Sequence, residues 1–258
     1  MNIEKLGDYT NLADNYSAYR PGYSESVLAA LFSLLEKPAP GVDFADVGAG
    51  TGIWTRMVCS RSVKSAIAVE PNEEMRSKGI ADCAGLPVRW YKGKGEDTGL
   101  ESDSVDFLTM ASSFHWVDFD AGVKEFSRVL RKGGRFAALW NPRLIEENPV
   151  LVEIENTLHE MVPELKRVSS GRSGLTTTLT QKLNESPFFD DVVYIEGRHT
   201  VTQTPEQYLG AWWSVNDIRV QAGEDRFNAF MAYVEKFVGH MDGIETTYLT
   251  RAWSARTV

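Results

Sequence analysis

Apolar positions along this chain follow two rhythms that alternate through its first half. From Glu25 to Leu35, Val27, Leu28, Leu31, Leu34 and Leu35 recur at helical spacing, with Ser24 at the N-cap position and Pro38 and Pro40 past the end. A short apolar run predicts a strand at 42–47, followed by a glycine-rich turn and a helix over 52–59. Ala66 to Glu70 reads as a fully buried strand, and Asn72 caps a helix through Lys78. Val88–Tyr91 and Val105–Met110 read as two more strands. Asp118 opens a helix with Val123, Phe126, Val129 and Leu130 on one face, stopped by Gly133-Gly134. Arg135–Trp140 is a fifth strand, closed by Asn141-Pro142. Strands alternating with helices in this way specify an α/β fold with a parallel, doubly wound sheet.

The second half is less regular. A helix is expected over 146–161, and the Ser-, Thr- and Gly-rich stretch 169–180 reads as a mobile loop. Val192–Ile195 reads as a strand, and Thr204 with Pro205 opens a helix to about Val215. A further helix runs over about 225–238, and Thr246–Trp253 is the last strand. The chain is expected to be one domain over 1–258. Its parts are an N-terminal lid and helix (1–40), a cofactor-binding core (41–142), cap segments (143–187 and 202–242) and last sheet strands (188–201 and 243–258).

Composition narrows the class. Hydrophobic residues make up 43% and charged residues 24% of 258, enough to build a core without staples. The net charge of −9 argues against a nonspecific nucleic-acid binder and against an anionic membrane surface. Cys59 and Cys83, with no Cys-x-x-Cys and no His/Cys cluster, read as small buried hydrophobes, so no metal is expected. No apolar run approaches the ~18 residues of a spanning helix, and the N-terminus lacks an apolar signal region. The expectation is a cytoplasmic enzyme, monomer or homodimer, acting on a small molecule.

The densest chemistry lies in Asp46-Val47-Gly48-Ala49-Gly50-Thr51-Gly52. A strand, a glycine turn and a helix N-terminus make a nucleotide-type binding corner. The dinucleotide fingerprint requires Gly or Ala where Ile53 stands, and here the third glycine comes one residue early. Asp46 would repel a pyrophosphate but not a cofactor bearing an ammonium, so the corner suggests S-adenosylmethionine. Glu70 ends the second strand, about 20 residues on, where a carboxylate can accept both ribose hydroxyls.

With these pieces in place the chain resembles the class I S-adenosylmethionine-dependent methyltransferases, in particular the small-molecule branch with trans-aconitate and ubiquinone-biosynthesis methyltransferases. The resemblance covers about residues 10–142. It rests on Tyr19-Arg20-Pro21-Gly22-Tyr23, Asp46 to Gly52, Ala68-Val69-Glu70-Pro71-Asn72 with Met75, Phe114-His115-Trp116, and Val129 to Gly134. It implies a seven-stranded, mostly parallel Rossmann-like sheet with the last strand antiparallel and a helical cap in the C-terminal half. It also implies that Gly48, Ala49, Gly50, Thr51 and Gly52 face the methionine part of the cofactor, with Asp46 near its ammonium. Glu70, Pro71, Asn72 and Met75 would hold ribose and adenine, and Gly95, Glu96 and Asp97 would border the adenine. The family usually has Ala at the place of Gly95, which predicts a looser loop. Ala111 and Ser112 would face the methionine portion, and Tyr16, Tyr19 and Arg20 would lie on an N-terminal lid. Arg20 is either a partner for the cofactor's carboxylate or a surface charge.

His115 is open between a general base and a structural histidine. Trp116, Trp140, Asn141, Trp212 and Trp213 are open between a substrate cage and packing of the cap. Arg143, Arg172 and Arg198 could receive a carboxylate or phosphate. The tetrad of nucleic-acid amino methyltransferases is absent after strand four, where Ala111-Ser112-Ser113-Phe114 stands, and neither a Pro-Cys nucleophile nor a pair of acidic metal ligands is found. A metal-independent enzyme that aligns an O, N or C nucleophile with the methyl group is the expectation. A nicotinamide-dependent oxidoreductase and an inactive cofactor-binding protein are the rival readings.

Overall fold

The computed structural model describes residues 9–167, 171 and 174–258. Its strands are β1 (Asp43–Val47), β2 (Ser65–Val69), β3 (Val88–Tyr91), β4 (Val105–Ala111), β5 (Leu130–Trp140), β6 (Phe189–Gln203) and β7 (Ile244–Thr257). Its helices are α1 (Ala13–Tyr19), α2 (Glu25–Ser33), α3 (Ile53–Cys59), α4 (Glu73–Asp82) and α5 (Phe119–Val129) in the first half. The second half adds α6 (Pro149–Met161), α7 (Leu175–Glu185), α8 (Pro205–Trp213), α9 (Asn216–Ala222) and α10 (Glu224–Val238). The strands form one sheet in the order β3-β2-β1-β4-β5-β7-β6, parallel throughout except for β7, which runs against both β5 and β6.

The alternation of side chains along each strand explains why helices cover both faces. Phe44, Phe107, Ala137 and Leu139 point to a layer built with Val27, Leu28 and Leu31 of α2 and Trp54 and Val58 of α3. Ala45, Leu108, Met110, Phe136 and Ala138 point the other way, onto Val123 and Phe126 of α5 and Leu179 and Leu183 of α7. Each fully buried Leu or Phe of this kind contributes roughly 1.5–3 kcal/mol. A third apolar cluster joins α6, α8, α9 and α10 through residues such as Leu151, Ile154, Ile218, Phe227 and Phe230. This cap leans on the sheet through Ile244 of β7.

Helix starts follow local chemistry. Asn72 and Asp118 accept from the amides of Met75 and Ala121, and Thr204 with Gln207 forms a capping box at α8.

Five elements depart from the sequence reading. The stretch read as a mobile loop holds α7 from Leu175 onward, because Leu179 and Leu183 bury into the sheet and Trp253 donates to Thr180 at 2.9 Å. Within that stretch, residues 169–170 and 172–173 lie outside the described residues. Gly133 and Gly134 do not end α5. They lie inside β5, where Gly133 takes φ +79° beside a shift in register against β4. The strand expected at 192–195 extends to fifteen residues, because β6 is an edge whose outward side chains are polar and add no apolar signal. The helices α1 and α9 carry too few apolar residues to declare themselves.

Candidate active site

The strand order reverses between β1 and β4, which opens a crevice beyond the carboxyl ends of the strands. Each strand end contributes one wall of a cavity of about 680 Å³. Gly48–Thr51 follow β1, Glu70–Asn72 follow β2, and Lys94–Glu96 follow β3. Ala111–Ser113 leave β4 and Asn141 follows β5. Tyr9, Tyr16, Arg20 and Pro21 close the cavity from the N-terminal side.

The glycine turn is built for close approach. Gly48 has φ +68°, and a Cβ there would stand 2.7 Å from the Ser113 side chain. The turn's amides are already engaged. Gly48 N–H and Ala49 N–H donate to the Val69 carbonyl at 2.8 and 3.1 Å, and Gly52 N–H donates to the Ala49 carbonyl at 2.9 Å. Gly50 N–H donates to Glu70 Oε2 at 2.8 Å, while Asn72 N–H donates to Glu70 Oε1 at 2.9 Å. Burial raises the Glu70 carboxyl above its ordinary value, against the pull of those two amides and of Arg76. A pyrophosphate here would meet a carboxylate and few unengaged amides, whereas hydroxyl donors would meet acceptor lone pairs.

Several expected residues sit elsewhere. Asp46 is fully buried behind the turn and does not line the cavity. Its carboxyl accepts from Thr55 at 2.6 Å and Thr109 at 3.3 Å, and burial pushes it up to about 7. Gly52 is the N-cap of α3, with a Cβ position filled by Cys83 Sγ at 2.9 Å. Asp97 does not line the cavity; it sits at a tight bend whose backbone pairs Lys94 with Asp97. Gly95 is tightly held and not loose, since Val117 Cγ2 stands 2.4 Å from where its Cβ would be. Tyr19 does not reach the cavity; its ring fills the space above Gly210, so α1 seats on α8.

His115 is half-buried and lines neither this cavity nor the one described below. Its Nδ1 accepts from Trp140 Nε1–H at 3.1 Å, and burial pushes its pKa down to about 4 despite Asp217. Trp140 lies in the core against Trp253, and Trp213 packs on Phe227. Trp116 does line the cavity. Ser112 holds φ +54° at the end of β4, and its hydroxyl meets the Tyr23 phenol at 2.9 Å.

A second cavity of about 340 Å³ adjoins the first. Tyr9, Tyr16, Arg20, Pro21, Ser112 and Asn141 line both. Its far wall comes from the cap and β7, with Arg143, Glu155, Arg167, Tyr208, Trp212 and Tyr248. Of the arginines singled out from the sequence, Arg143 lies here, Arg198 pairs with Glu147 on the surface at 2.7 Å, and Arg172 lies outside the described residues. Sequence reading missed Tyr9, Tyr23, Lys94, Glu155, Arg167, Tyr208 and Tyr248. Among the described residues no group of three or more His, Cys, Asp or Glu is placed to hold a metal ion, and no helix is long and apolar enough to cross a membrane.

Comparisons with known proteins agree with this geometry. Residues 45–138 match the family described as a methyltransferase domain. An uncharacterized methyltransferase of Mycobacterium tuberculosis is 34% identical over 128 residues, covering 50% of this chain and 49% of the relative. An uncharacterized methyltransferase of Schizosaccharomyces pombe is 31% identical over 137 residues, covering 52% of each chain. These matches thus span about half the length of the curated relatives. A structure from Anaeromyxobacter dehalogenans, provisionally named a type II methyltransferase, superposes with a TM-score of 0.67 at 22% identity, covering 93% of this chain and 98% of the other. That likeness is one of fold, and it extends through the cap and the reversed strand. Residues 45–138 thus match a methyltransferase domain, and the sheet that carries them shares its fold with the Anaeromyxobacter structure.

Proposed function

We propose that this protein binds S-adenosylmethionine in the larger cavity and transfers its methyl group to a small molecule held in the smaller one. The observation that carries the reading is the pairing of Glu70 with the turn, since a carboxylate bonded to Gly50 sits where a phosphate-bearing cofactor would need amides. The chamber of about 680 Å³ lies within the usual range for a ligand of this size, roughly 300–1,000 Å³. Glu70 would take the ribose hydroxyls, Met75 and the Lys94–Glu96 bend would border the base, and Gly48–Thr51 with Ala111–Ser112 would face the amino-acid end.

A cofactor held by Gly48–Thr51, Glu70 and Ala111–Ser112 would supply an electrophilic methyl on a sulfonium, with sulfur as the leaving atom. The protein's part is alignment and exclusion of water. Ser112 and Asn141 stand where the two cavities meet. Asn141 is fixed there by donating to the Gly22 carbonyl at 2.9 Å and accepting from Thr250 at 2.8 Å. Tyr9, Tyr16 and Arg20 form the wall that shuts out solvent. Among the described residues, none that lines both cavities is a carboxylate or an imidazole. With its pKa near 4, His115 is neutral at physiological pH and acts by holding Trp140 in place. Transfer on this reading proceeds by positioning, with no carboxylate or imidazole base among the described residues at the junction.

Calorimetric titration with S-adenosylhomocysteine and with NAD tests the reading. The expected result is one site for the former and none for the latter. Binding of NAD alone overturns it in favour of an oxidoreductase. An inactive binder would take S-adenosylhomocysteine yet transfer no labelled methyl to any member of a broad panel of small acids, amines and phenols.

A further inference from the structure

We infer that the acceptor is an anion, a carboxylate or phosphate ester, whose charged group is anchored at the cap end of the smaller cavity by Arg143, Tyr208 and Trp212. The inference rests on the methyl-transfer reading above and names the substrate class of that same site.

Charge on the wall of this cavity is unbalanced. Arg20, Arg143 and Arg167 line it, and Glu155 is its only acidic residue among those described. Glu155 is spoken for. Its carboxylate accepts from Arg143 at 2.9 Å and from Arg167 at 3.0 and 3.1 Å, and these two guanidinium groups hold it below the usual carboxylate range despite burial. Arg20 has neutral partners. Its Nε–H donates to Ser214 Oγ at 2.7 Å and its terminal nitrogen to the Ser214 carbonyl at 3.3 Å. Leaving His159 aside, the wall therefore carries an excess of positive charge in a partly enclosed space. Charge withdrawn from water in this way is costly until a counter-charge is supplied.

Hydrogen-bonding capacity points to the same ligand. Tyr208 and Trp212 lie one turn apart on α8, and both line the cavity. Among the described residues, the buried Tyr208 phenol oxygen and Trp212 indole nitrogen make no hydrogen bond of good geometry, although the phenol stands near Arg143 and Trp212. An indole N–H can only donate, so it requires an acceptor. The Arg143 guanidinium lies 4.5 Å from the centroid of the Trp212 ring, which brings its donors beside the same ring. A planar carboxylate or a phosphate, with acceptor lone pairs and negative charge, meets all three groups together. A neutral apolar ring would leave the two donors and the excess charge unmet.

The test uses matched probes. Benzoate, phenyl phosphate and benzamide are titrated into the whole protein, alone and with saturating S-adenosylhomocysteine, by calorimetry and thermal shift. At least one acid is expected to bind about tenfold or more tightly than benzamide, and the acid that wins distinguishes carboxylate from phosphate. In Arg143→Gln the acid preference is expected to fall about tenfold. Tyr208→Phe deletes a hydroxyl with no well-formed hydrogen bond in the protein, so its fold is retained while its preference for the acid drops severalfold. Equal binding of benzamide, no binding by either acid, or an acid preference that survives in both variants overturns the inference. If S-adenosylhomocysteine binds while the acids do not, the anion assignment alone fails. If S-adenosylhomocysteine does not bind, the cofactor reading fails with it.

Discussion

Asp46→Asn should stabilise this protein at neutral pH and leave it little changed in acid. The carboxyl is fully buried between β1, β4 and α3, and its contacts are the hydroxyls of Thr55 and Thr109. Burial carries its pKa to about 7, the two hydroxyls pull it back in part, and Glu70 pushes it up again. An unfolded chain would titrate near 3.9. The difference of roughly three units corresponds to about 4 kcal/mol, an order-of-magnitude figure. A raised carboxyl is stabilising only while protonated. Its contribution is full below about pH 4 and is lost as pH rises through 7, because the native state binds the extra proton across that window. The substituted amide would keep an acceptor for Thr55 and carry no charge at any pH. Urea denaturation of both proteins at pH 5, 6, 7 and 8 should show the variant gaining on the parent by about 1.4 kcal/mol per unit up to pH 7, then levelling off. A difference that stays flat within about 0.5 kcal/mol over this range would refute the argument. Asp46 would then be ionised in the fold, with hydroxyl donors strong enough to offset its desolvation.

Two further predictions address the site. Glu70→Ala strands the amides of Gly50 and Asn72, costing about 1–3 kcal/mol each, and should weaken S-adenosylhomocysteine about 10- to 100-fold by calorimetry; unchanged affinity would remove Glu70 from the cofactor site. His115→Asn should leave the shape of the kcat–pH profile from pH 5.5 to 8 unaltered, since the imidazole is already neutral there. An acidic limb near 6.5 that vanishes in the variant would make His115 a base after all.

The glycine corner is legible because its signal is local. Gly48, Gly50 and Glu70 reach one cavity through a single β-turn-α-β unit, and chain spacing fixes their separation. Asp46 misled because sequence proximity to the glycines was read as proximity to the ligand. Strand alternation would have corrected this: Asp46 shares its side of β1 with Phe44, which faces α2 and α3. The same parity puts Trp140 with Phe136 and Ala138 in the core. The smaller cavity left no comparable trace. Arg143, Glu155, Arg167, Tyr208 and Tyr248 come from a loop, two helices, a strand and the segment beyond α6, and only packing of the cap on β7 brings them together. No period or motif encodes such a convergence. The helix α7 was hidden for a related reason, since its Thr-rich turns resemble a linker until Leu175, Leu179 and Leu183 are counted four apart.

The short segment from Tyr9 to Pro21 belongs to both cavities at once. It is clasped by polar contacts on one side, where Ser17 donates to Asp82 and Lys78 reaches Asp14 at 3.4 Å, and by Tyr19 over Gly210 on the other. Any displacement that lets one occupant leave also uncovers its neighbour. On the proposed assignment, traffic of donor and acceptor would be geared together through this one segment.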